Sequence, residues 1–247
     1  MSKELQKRII TSILLFITAI FCIFVHKYFF ITSILIISYL AFDEMCMIIN
    51  RIGSYFQFLL KLISLFYLFG IFAVSAVGLY LIKDPFFFFY ILSICICSDI
   101  GGYTVGKNVG GKKLTKISPN KTISGSLGSF CFSVIPLLIF YNFYSSEYLL
   151  STNNFLMCFF TSLVCQLGDL FISYQKRKAK IKNTGKILPG HGGMLDRIDG
   201  IIFSIPFIFI IYVVGFTGFF ETYKDAILYA IKSQLKKKLQ YLDQLDL

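Results

Sequence analysis

The chain has 247 residues, of which 56% are hydrophobic and 18% aromatic, and its mean hydropathy of +0.74 excludes an ordinary soluble domain. The formal net charge of +11 comes mainly from lysines in short segments between apolar runs, so anionic lipid headgroups or phosphates are the expected partners, and nucleic acid is not. We therefore predict an all-α, polytopic integral membrane protein.

Apolar runs mark the predicted spans, since about 20 mostly apolar residues cross a bilayer. Seven runs lie at 9–25, 28–42, 57–82, 85–99, 125–144, 155–172 and 201–220. The first run follows a short basic segment but has no small-residue cleavage site behind it, so we expect a retained span and not a signal peptide. The third run can form one tilted helix or two short helices broken near Gly70, which leaves eight or nine spans open.

The distribution of lysine gives the expected orientation. Segment 101–122 carries five lysines, whereas 145–154 carries neither lysine nor arginine, so the first is expected in the cytoplasm and the second outside. Two spans separate 101–122 from a second basic segment, 173–200, which therefore shares its face. We expect residues 1–221 to form one membrane-embedded domain and 222–247 to form a basic amphipathic tail.

The first basic segment is a candidate anion site. Glycine is dense across 101–128, which predicts that backbone N–H groups can approach an anion closely. Its stretch 106–113 nearly matches a P-loop, but it lacks the Ser or Thr after the lysine and a preceding strand, so no P-loop is expected. The better candidates are Ser118, Lys121 and Thr122, which could bind phosphate where a helix begins. The alternative is a loop with snorkelling lysines and a helix cap.

Three aspartates are candidates for cation binding. Asp169 interrupts an apolar run, and a carboxylate at membrane depth costs about 2.5–3.5 kcal/mol, so a functional role is expected; a structural ion pair with a lysine is the alternative. Asp196 and Asp199 are spaced so that a helix would place both on one face. Together with Asp169 they could hold a hard cation such as magnesium, completed by substrate phosphate oxygens. Arg197 could bind phosphate, and surface ion pairs are the alternative for this cluster.

The remaining metal-binding residue types give no zinc site. His191 lies between two glycines without further His or Cys nearby, and the pair Cys95 and Cys97 has no second pair, so the cysteines are expected to be packing residues. A membrane scaffold with two basic segments and three aspartates suggests phosphoryl or nucleotidyl transfer on a lipid.

The same residues resemble the signature of the phosphatidate cytidylyltransferases, also called CDP-diacylglycerol synthases. Ser118-Pro119-x-Lys121-Thr122-x-x-Gly125 is similar to the upstream SPxKTxxG element of that family, and Asp99 with Gly101 is similar to its Asp-x-Gly. The resemblance is clear over roughly residues 95–210. Its longer part consists of Ser173, Lys176, Arg177, Lys182, Gly185, Pro189, Gly190, His191, Gly192, Gly193, Asp196, Arg197 and Asp199.

This resemblance implies transfer of CMP from CTP to phosphatidic acid, with release of pyrophosphate, at the cytoplasmic face of a bacterial cytoplasmic (inner) membrane. Magnesium is the implied cofactor, while a monovalent cation and a homodimer are left open. Asp169, Asp196 and Asp199 are the implied magnesium ligands and catalytic residues, together with Lys121. Substrate binding is implied for Ser118, Thr122, Lys176, Arg177, His191 and Arg197.

The chain departs from the signature at two places. Asn183 stands where the family usually has Asp, and Ile123-Ser124 stands where the upstream element often continues Trp-Glu, so position 183 is interpreted as supporting and not catalytic. Two other functions stay open: a CTP-dependent polyprenol or phytol kinase, and a membrane transporter of anionic solutes. A transporter would more often show two related halves, and the sequence contains no visible repeat.

Overall fold

The computed structural model describes residues 3–115, 117–144, 152–185, 187–188 and 192–213, and this part of the chain is helical, without a strand. Two isolated bridges, Lys113 with Thr122 and Leu188 with Gly192, are its extended pairings. The helices are α1 (Lys3–Phe24), α2 (Lys27–Ile52), α3 (Gln57–Leu65), α4 (Val74–Ile82), α5 (Pro85–Val109), α6 (Ile123–Ser133), α7 (Ile135–Tyr144), α8 (Thr152–Lys178), α9 (Leu195–Ile198) and α10 (Ile201–Val213).

The predicted polytopic helical bundle is confirmed. Each of the seven predicted runs coincides with helix over most of its described length, and Ile10–Phe24 and Ile201–Val213 are shorter apolar helices. The end of the last run and the predicted tail 222–247 lie outside the described residues. Among the described residues, five helices are long and apolar enough to cross a membrane, namely Lys27–Ile52, Gln57–Ile82, Pro85–Val109, Ile123–Tyr141 and Thr152–Lys178.

The predicted run 57–82 is one continuous helix with an irregular centre. Between α3 and α4, the segment Phe66–Ala73 is π-helical, and Gly70 lies in this segment. A π segment widens the helix locally without ending it. The question left open by the sequence, one helix or two broken near Gly70, is therefore answered in favour of one.

Helices α2 and α5 extend well past the apolar runs that predicted them. α2 ends at Gly53, with a φ of 69°, and α5 ends at Gly110, with a φ of 65°. A left-handed backbone of this kind ends a helix at low cost only where there is no Cβ. The P-loop-like stretch 106–113 is accordingly the last turn of α5 and the turn after it. The polar ends of both helices carry side chains of the candidate site.

A core of aliphatic and aromatic side chains joins the helices. Phe30 stacks on Tyr80 with ring centroids 4.1 Å apart, and the Tyr80 hydroxyl donates to the carbonyl of Ile23 at 2.9 Å. Large apolar side chains such as Phe58 and Phe66 remain exposed on the outer face. In an integral membrane protein, that face is covered by lipid.

Helices α5 and α6 pack with their backbones in contact. A Cβ added at Gly101 would lie 2.5 Å from the carbonyl oxygen of Gly128 and 2.5 Å from Cβ of Phe132, and one added at Gly128 would lie 2.5 Å from Cβ of Val105. Small residues allow membrane helices to approach this closely. The glycines that the sequence analysis assigned to anion binding thus serve helix packing here, and they bring Asp99 on α5 beside the start of α6.

Candidate active site

The loop between α5 and α6 is held by backbone hydrogen bonds that fix Lys121. The Leu114 N–H donates to the carbonyl of Lys121 at 2.8 Å, and the Lys121 N–H donates to the carbonyl of Ser118 at 3.0 Å. Oγ1 of Thr122 accepts a hydrogen bond from the Gly125 N–H at 3.0 Å and so caps α6. The helix-cap interpretation is therefore confirmed for Thr122.

A cavity of about 310 Å³ lies between α5, this loop, α6 and α8. Four of the predicted site residues line it, namely Ser118, Lys121, Thr122 and Asp169. Two distant stretches of the sequence therefore converge on one cavity. Six further polar residues line it without having been assigned to the site, namely Asp99, Tyr103, Asn120, Ser126, Ser129 and Gln166.

Lys121 and Asp169 form an ion pair at this cavity, with 29% and 24% of their side chains exposed. The Ser173 hydroxyl, one turn further along α8, donates to Oδ1 of Asp169 at 3.3 Å. A lysine from another element is thus the partner of the intramembrane aspartate, as the structural alternative predicted. Because the pair lines a cavity, both charges can also meet a ligand.

Two more carboxyl groups stand beside Asp169. The carboxyl groups of Asp169 and Asp199 are close enough for their charges to interact, and Oδ1 of Asp199 accepts a hydrogen bond from the Gly200 N–H at 3.0 Å. Burial, and after it the charge of Asp169, raises the pKa of Asp199 well above its ordinary value. The carboxyl group of Asp99 is close enough to those of Asp169 and Asp199 to interact with them electrostatically. The cluster concentrates negative charge that a bound cation would stabilise.

The donors of this cluster fit a hard cation such as magnesium in part. Magnesium prefers oxygen ligands and usually binds one or two carboxylates together with waters and substrate phosphates. In the part of the chain that the structure describes, no three His, Cys, Asp or Glu side chains converge closely enough to hold a metal ion by themselves. Asp169 and Asp199 therefore fit as two ligands of an ion whose other positions are filled by water or substrate.

Asp196 has different partners from Asp199, although three residues separate them. Nζ of Lys176 donates to its Oδ1 at 2.8 Å, and the N–H groups of Thr184 and Gly193 donate to its Oδ2 at 2.8 and 3.0 Å. Burial alone would raise the pKa of Asp196, but these donors bring it below its ordinary value. Both oxygens of Asp196 are thus engaged by the protein, and they tie the loop between α8 and α9 to Lys176.

Glu44 on α2 belongs to the same network and was missed by the sequence analysis. Its side chain has 0% exposure. It accepts hydrogen bonds from the Thr184 hydroxyl at 2.5 Å and from the N–H groups of Met194 and Leu195 at 2.8 and 2.9 Å. In the sequence it stands just past an apolar run, where a carboxylate is ordinary for a membrane interface.

Gln166 was also missed, although a signal for it exists. It is a polar residue inside the apolar run 155–172, one turn before Asp169. Its Oε1 accepts from the Ser126 hydroxyl at 2.5 Å, and its Nε2 donates to Ser162 at 3.2 Å. The side chain therefore joins α6 to α8 at the wall of the cavity.

The other predicted residues lie around the second loop. Arg177 and Arg197 are exposed, whereas Lys176 is buried. Asn183, at the position of the first departure from the signature, is exposed next to Thr184. His191 lies outside the described residues.

The model of the cytidylyltransferase family matches residues 54–215, which include the cavity and both basic loops. A phosphatidate cytidylyltransferase of Rickettsia bellii is 43% identical over 130 residues, which are 51% of this chain and 55% of the relative. Proteins of the same name from Bacillus subtilis and Helicobacter pylori strain J99 are each 40% identical, over 128 and 116 residues. These alignments cover 50% and 47% of this chain and 46% and 42% of the relatives.

The chain spans about half the length of the curated relatives that it matches. The family match, by contrast, covers well over half of this chain and contains every predicted site residue. On this evidence, the chain is a member of the cytidylyltransferase family.

Proposed function

We propose that this membrane protein transfers CMP from CTP to phosphatidic acid, releasing pyrophosphate and forming CDP-diacylglycerol. The observation that carries the proposal is the meeting of Lys121, Asp169 and Asp199 from three separate elements. The names of the most similar relatives support the choice of substrates. Family membership favours nucleotidyl transfer over a transporter of anionic solutes.

The reaction needs no nucleophilic side chain. A phosphate oxygen of phosphatidate, ionised at neutral pH, attacks the α-phosphorus of CTP. The bond between that phosphorus and the oxygen that bridges to the β-phosphate breaks, and pyrophosphate leaves with the electron pair. The protein has to bring two polyanions together and stabilise the negative charge that develops on the α-phosphoryl and leaving groups.

Lys121 is the cation placed to meet that charge. Its backbone is fixed by the loop, so its ammonium can exchange Asp169 for a phosphate oxygen without a movement of the chain. The Ser118 and Thr122 groups line the same cavity, and we assign them to phosphate binding with Lys121. The exposed Arg177 and Arg197 are assigned to the triphosphate and the lipid phosphate, and His191 remains a proposed substrate contact.

We propose magnesium as the cofactor, held by Asp169 and Asp199 together with substrate oxygens. Bound there, it would supply positive charge to the phosphates that react. Asp196 would have to release protein donors to join these ligands, so we assign it to holding the loop through Lys176. A monovalent cation and a homodimer rest on the family resemblance alone.

The proposed location is a bacterial cytoplasmic (inner) membrane, with the cavity on the cytoplasmic face. Residues of the lysine-rich segment 101–122, which comprises the end of α5 and the loop before α6, line the cavity, and basic segments between spans are retained in the cytoplasm. The relatives named above come from bacteria.

The test uses purified full-length protein with magnesium and CTP labelled at the α- or the γ-phosphate. With phosphatidic acid, we expect the α label in the lipid and the γ label in pyrophosphate, and a Lys121→Ala variant prepared in parallel should form both products about 10²-fold more slowly. Transfer of the γ label to a polyprenol or phytol would favour the kinase. Absence of labelled product with every acceptor would contradict the proposal.

A further inference from the structure

We propose that Glu44 is a positioning residue: its buried carboxylate sets the place of the loop between α8 and α9, and through that loop the place of Asp196 and Asp199. Its catalytic consequence rests on the proposed function, whereas its effect on the loop does not. Glu44 precedes the region matched by the family model, 54–215, so the match itself gives it no role.

The carboxylate of Glu44 joins the middle of the loop and the start of α9 to α2. Its Oε1 accepts from the Met194 N–H at 2.8 Å, and its Oε2 accepts from the Leu195 N–H at 2.9 Å and from the Thr184 hydroxyl at 2.5 Å. Thr184 lies within the loop, six residues after the end of α8, whereas Met194 and Leu195 lie where the loop meets α9. One buried side chain therefore anchors two separate parts of this region to a membrane helix.

Two glycines of the loop are explained by this carboxylate. A Cβ added at Gly185 would lie 2.7 Å from Oε1 of Glu44, and one added at Gly193 would overlap both carboxylate oxygens and the Thr184 hydroxyl. The loop backbone thus approaches Glu44 closely from two sides.

The anchored segment leads directly to the candidate active site. The Thr184 hydroxyl lies 3.1 Å from Oδ2 of Asp196, and its N–H donates to the same oxygen at 2.8 Å. Asp199 follows directly after α9, and its carboxyl group lies close enough to that of Asp169 for the two charges to interact. A shift of the segment at 193–195 would therefore displace Asp199 relative to Asp169 and Lys121.

A carboxylate is required at position 44 because donors reach both of its oxygens. The amide of a glutamine would have to turn its NH₂ group toward the N–H of either Met194 or Leu195. Two donors would then face each other in a buried place, and one of them would lose its partner. Glu44→Gln therefore perturbs the loop while it keeps the volume of the side chain.

The chain offers a matched control in Asp43, the residue before Glu44 on α2, which carries the same charge but is exposed. The test compares Glu44→Gln and Asp43→Asn with the wild type, each as the full chain in lipid nanodiscs. Hydrogen exchange of the backbone N–H groups of Met194 and Leu195 reports on the loop. The thermal midpoint reports on stability, and kcat and KM report on catalysis. We expect faster exchange in Glu44→Gln and a kcat lower by about tenfold or more, with KM for CTP little changed. Asp43→Asn should match the wild type in every measurement.

A second pair of variants keeps the inference testable if Glu44→Gln does not fold. Thr184→Val removes the hydroxyl that reaches Glu44, and Thr184→Ser keeps it. The valine variant should therefore show faster hydrogen exchange at Met194 and Leu195 and a lower kcat, while the serine variant should retain wild-type values of both. Wild-type exchange and wild-type kcat in Glu44→Gln, or in Thr184→Val, would overturn the proposal. A lower thermal midpoint with unchanged kcat and unchanged exchange would overturn it too. If the wild type transfers no cytidylyl group, the proposed function fails, and the exchange measurements still decide the role of Glu44.

Discussion

Lys121, from the loop before α6, forms an ion pair with Asp169, from the middle of α8, at the wall of the cavity. The pair gives an intramembrane carboxylate the cation partner that it needs. It also keeps the ammonium group inside the cavity in the absence of a ligand. If the cavity binds the triphosphate of CTP as proposed, the triphosphate would compete with Asp169 for Lys121, and nucleotide binding would be coupled to release of the carboxylate.

Replacing Lys121 by alanine should lower kcat/KM for CTP by about 10²-fold, because the cation that stabilises the phosphoryl charge is lost. Steady-state kinetics of CDP-diacylglycerol formation provide the measurement. Lys113→Ala is the matched control, since Lys113 is an exposed lysine of the same loop, and it should retain wild-type kinetics. A Lys121→Ala protein as active as Lys113→Ala would remove Lys121 from the site.

Asp169→Asn and Asp199→Asn should each lower turnover and raise the magnesium concentration needed for half-maximal rate. A metal ion supplies several kcal/mol of charge stabilisation, so loss of one charged ligand should cost about 10²-fold or more in kcat. The measurement is initial rate against magnesium concentration at saturating CTP. Asp43→Asn serves as the control, and a wild-type magnesium dependence in Asp199→Asn would exclude Asp199 as a ligand.

The helical bundle and the pair of Lys121 and Asp169 could be predicted from the sequence for a simple physical reason. Lipid requires apolar side chains around a spanning helix, so the runs are visible in composition. The same requirement makes Asp169 conspicuous, and its cost implies a cationic partner such as Lys121. Hydropathy marks only the apolar part of a helix, however, so the extensions of α2 and α5 were missed.

The rest of the site depends on contacts between residues far apart in the chain. Glu44 meets Thr184 and Met194 across 140 and 150 residues, and no local pattern reports such pairs. The spacing of Asp196 and Asp199 predicted a shared helix face, but α9 ends at Ile198, and the two carboxyls bind different partners. Local periodicity cannot distinguish these arrangements because they differ only in tertiary packing.

Lys176→Met should destabilise the protein, because it leaves the buried Asp196 carboxylate without its cation. The two side chains are only 11% and 8% exposed, and breaking a buried pair typically costs about 3–5 kcal/mol. The expected result is a lower thermal midpoint in detergent, followed by fluorescence or by loss of monodisperse protein. Lys178→Met, an exposed neighbour on α8, should leave the midpoint unchanged.

The double variant Lys176→Met with Asp196→Asn tests the origin of that loss. If the unpaired carboxylate charge causes the loss of stability, removing that charge should raise the thermal midpoint part of the way back to the wild-type value. If the double variant is less stable than Lys176→Met by the full effect of Asp196→Asn alone, the two residues act independently and the ion pair contributes nothing.

The packing of α5 against α6 predicts a graded response to adding one methyl group. At Gly101 the new Cβ would meet the carbonyl oxygen of Gly128 at 2.5 Å, and backbone cannot rotate away. At Gly102 it would meet the hydroxyl oxygen of Ser129 at 2.5 Å, which a rotation of the side chain relieves. Gly101→Ala should therefore cost about 1–3 kcal/mol of stability, as overpacking does, and Gly102→Ala should cost less. Thermal midpoints of the two purified variants decide the point, and equal midpoints would show that the two helices can separate freely at this contact.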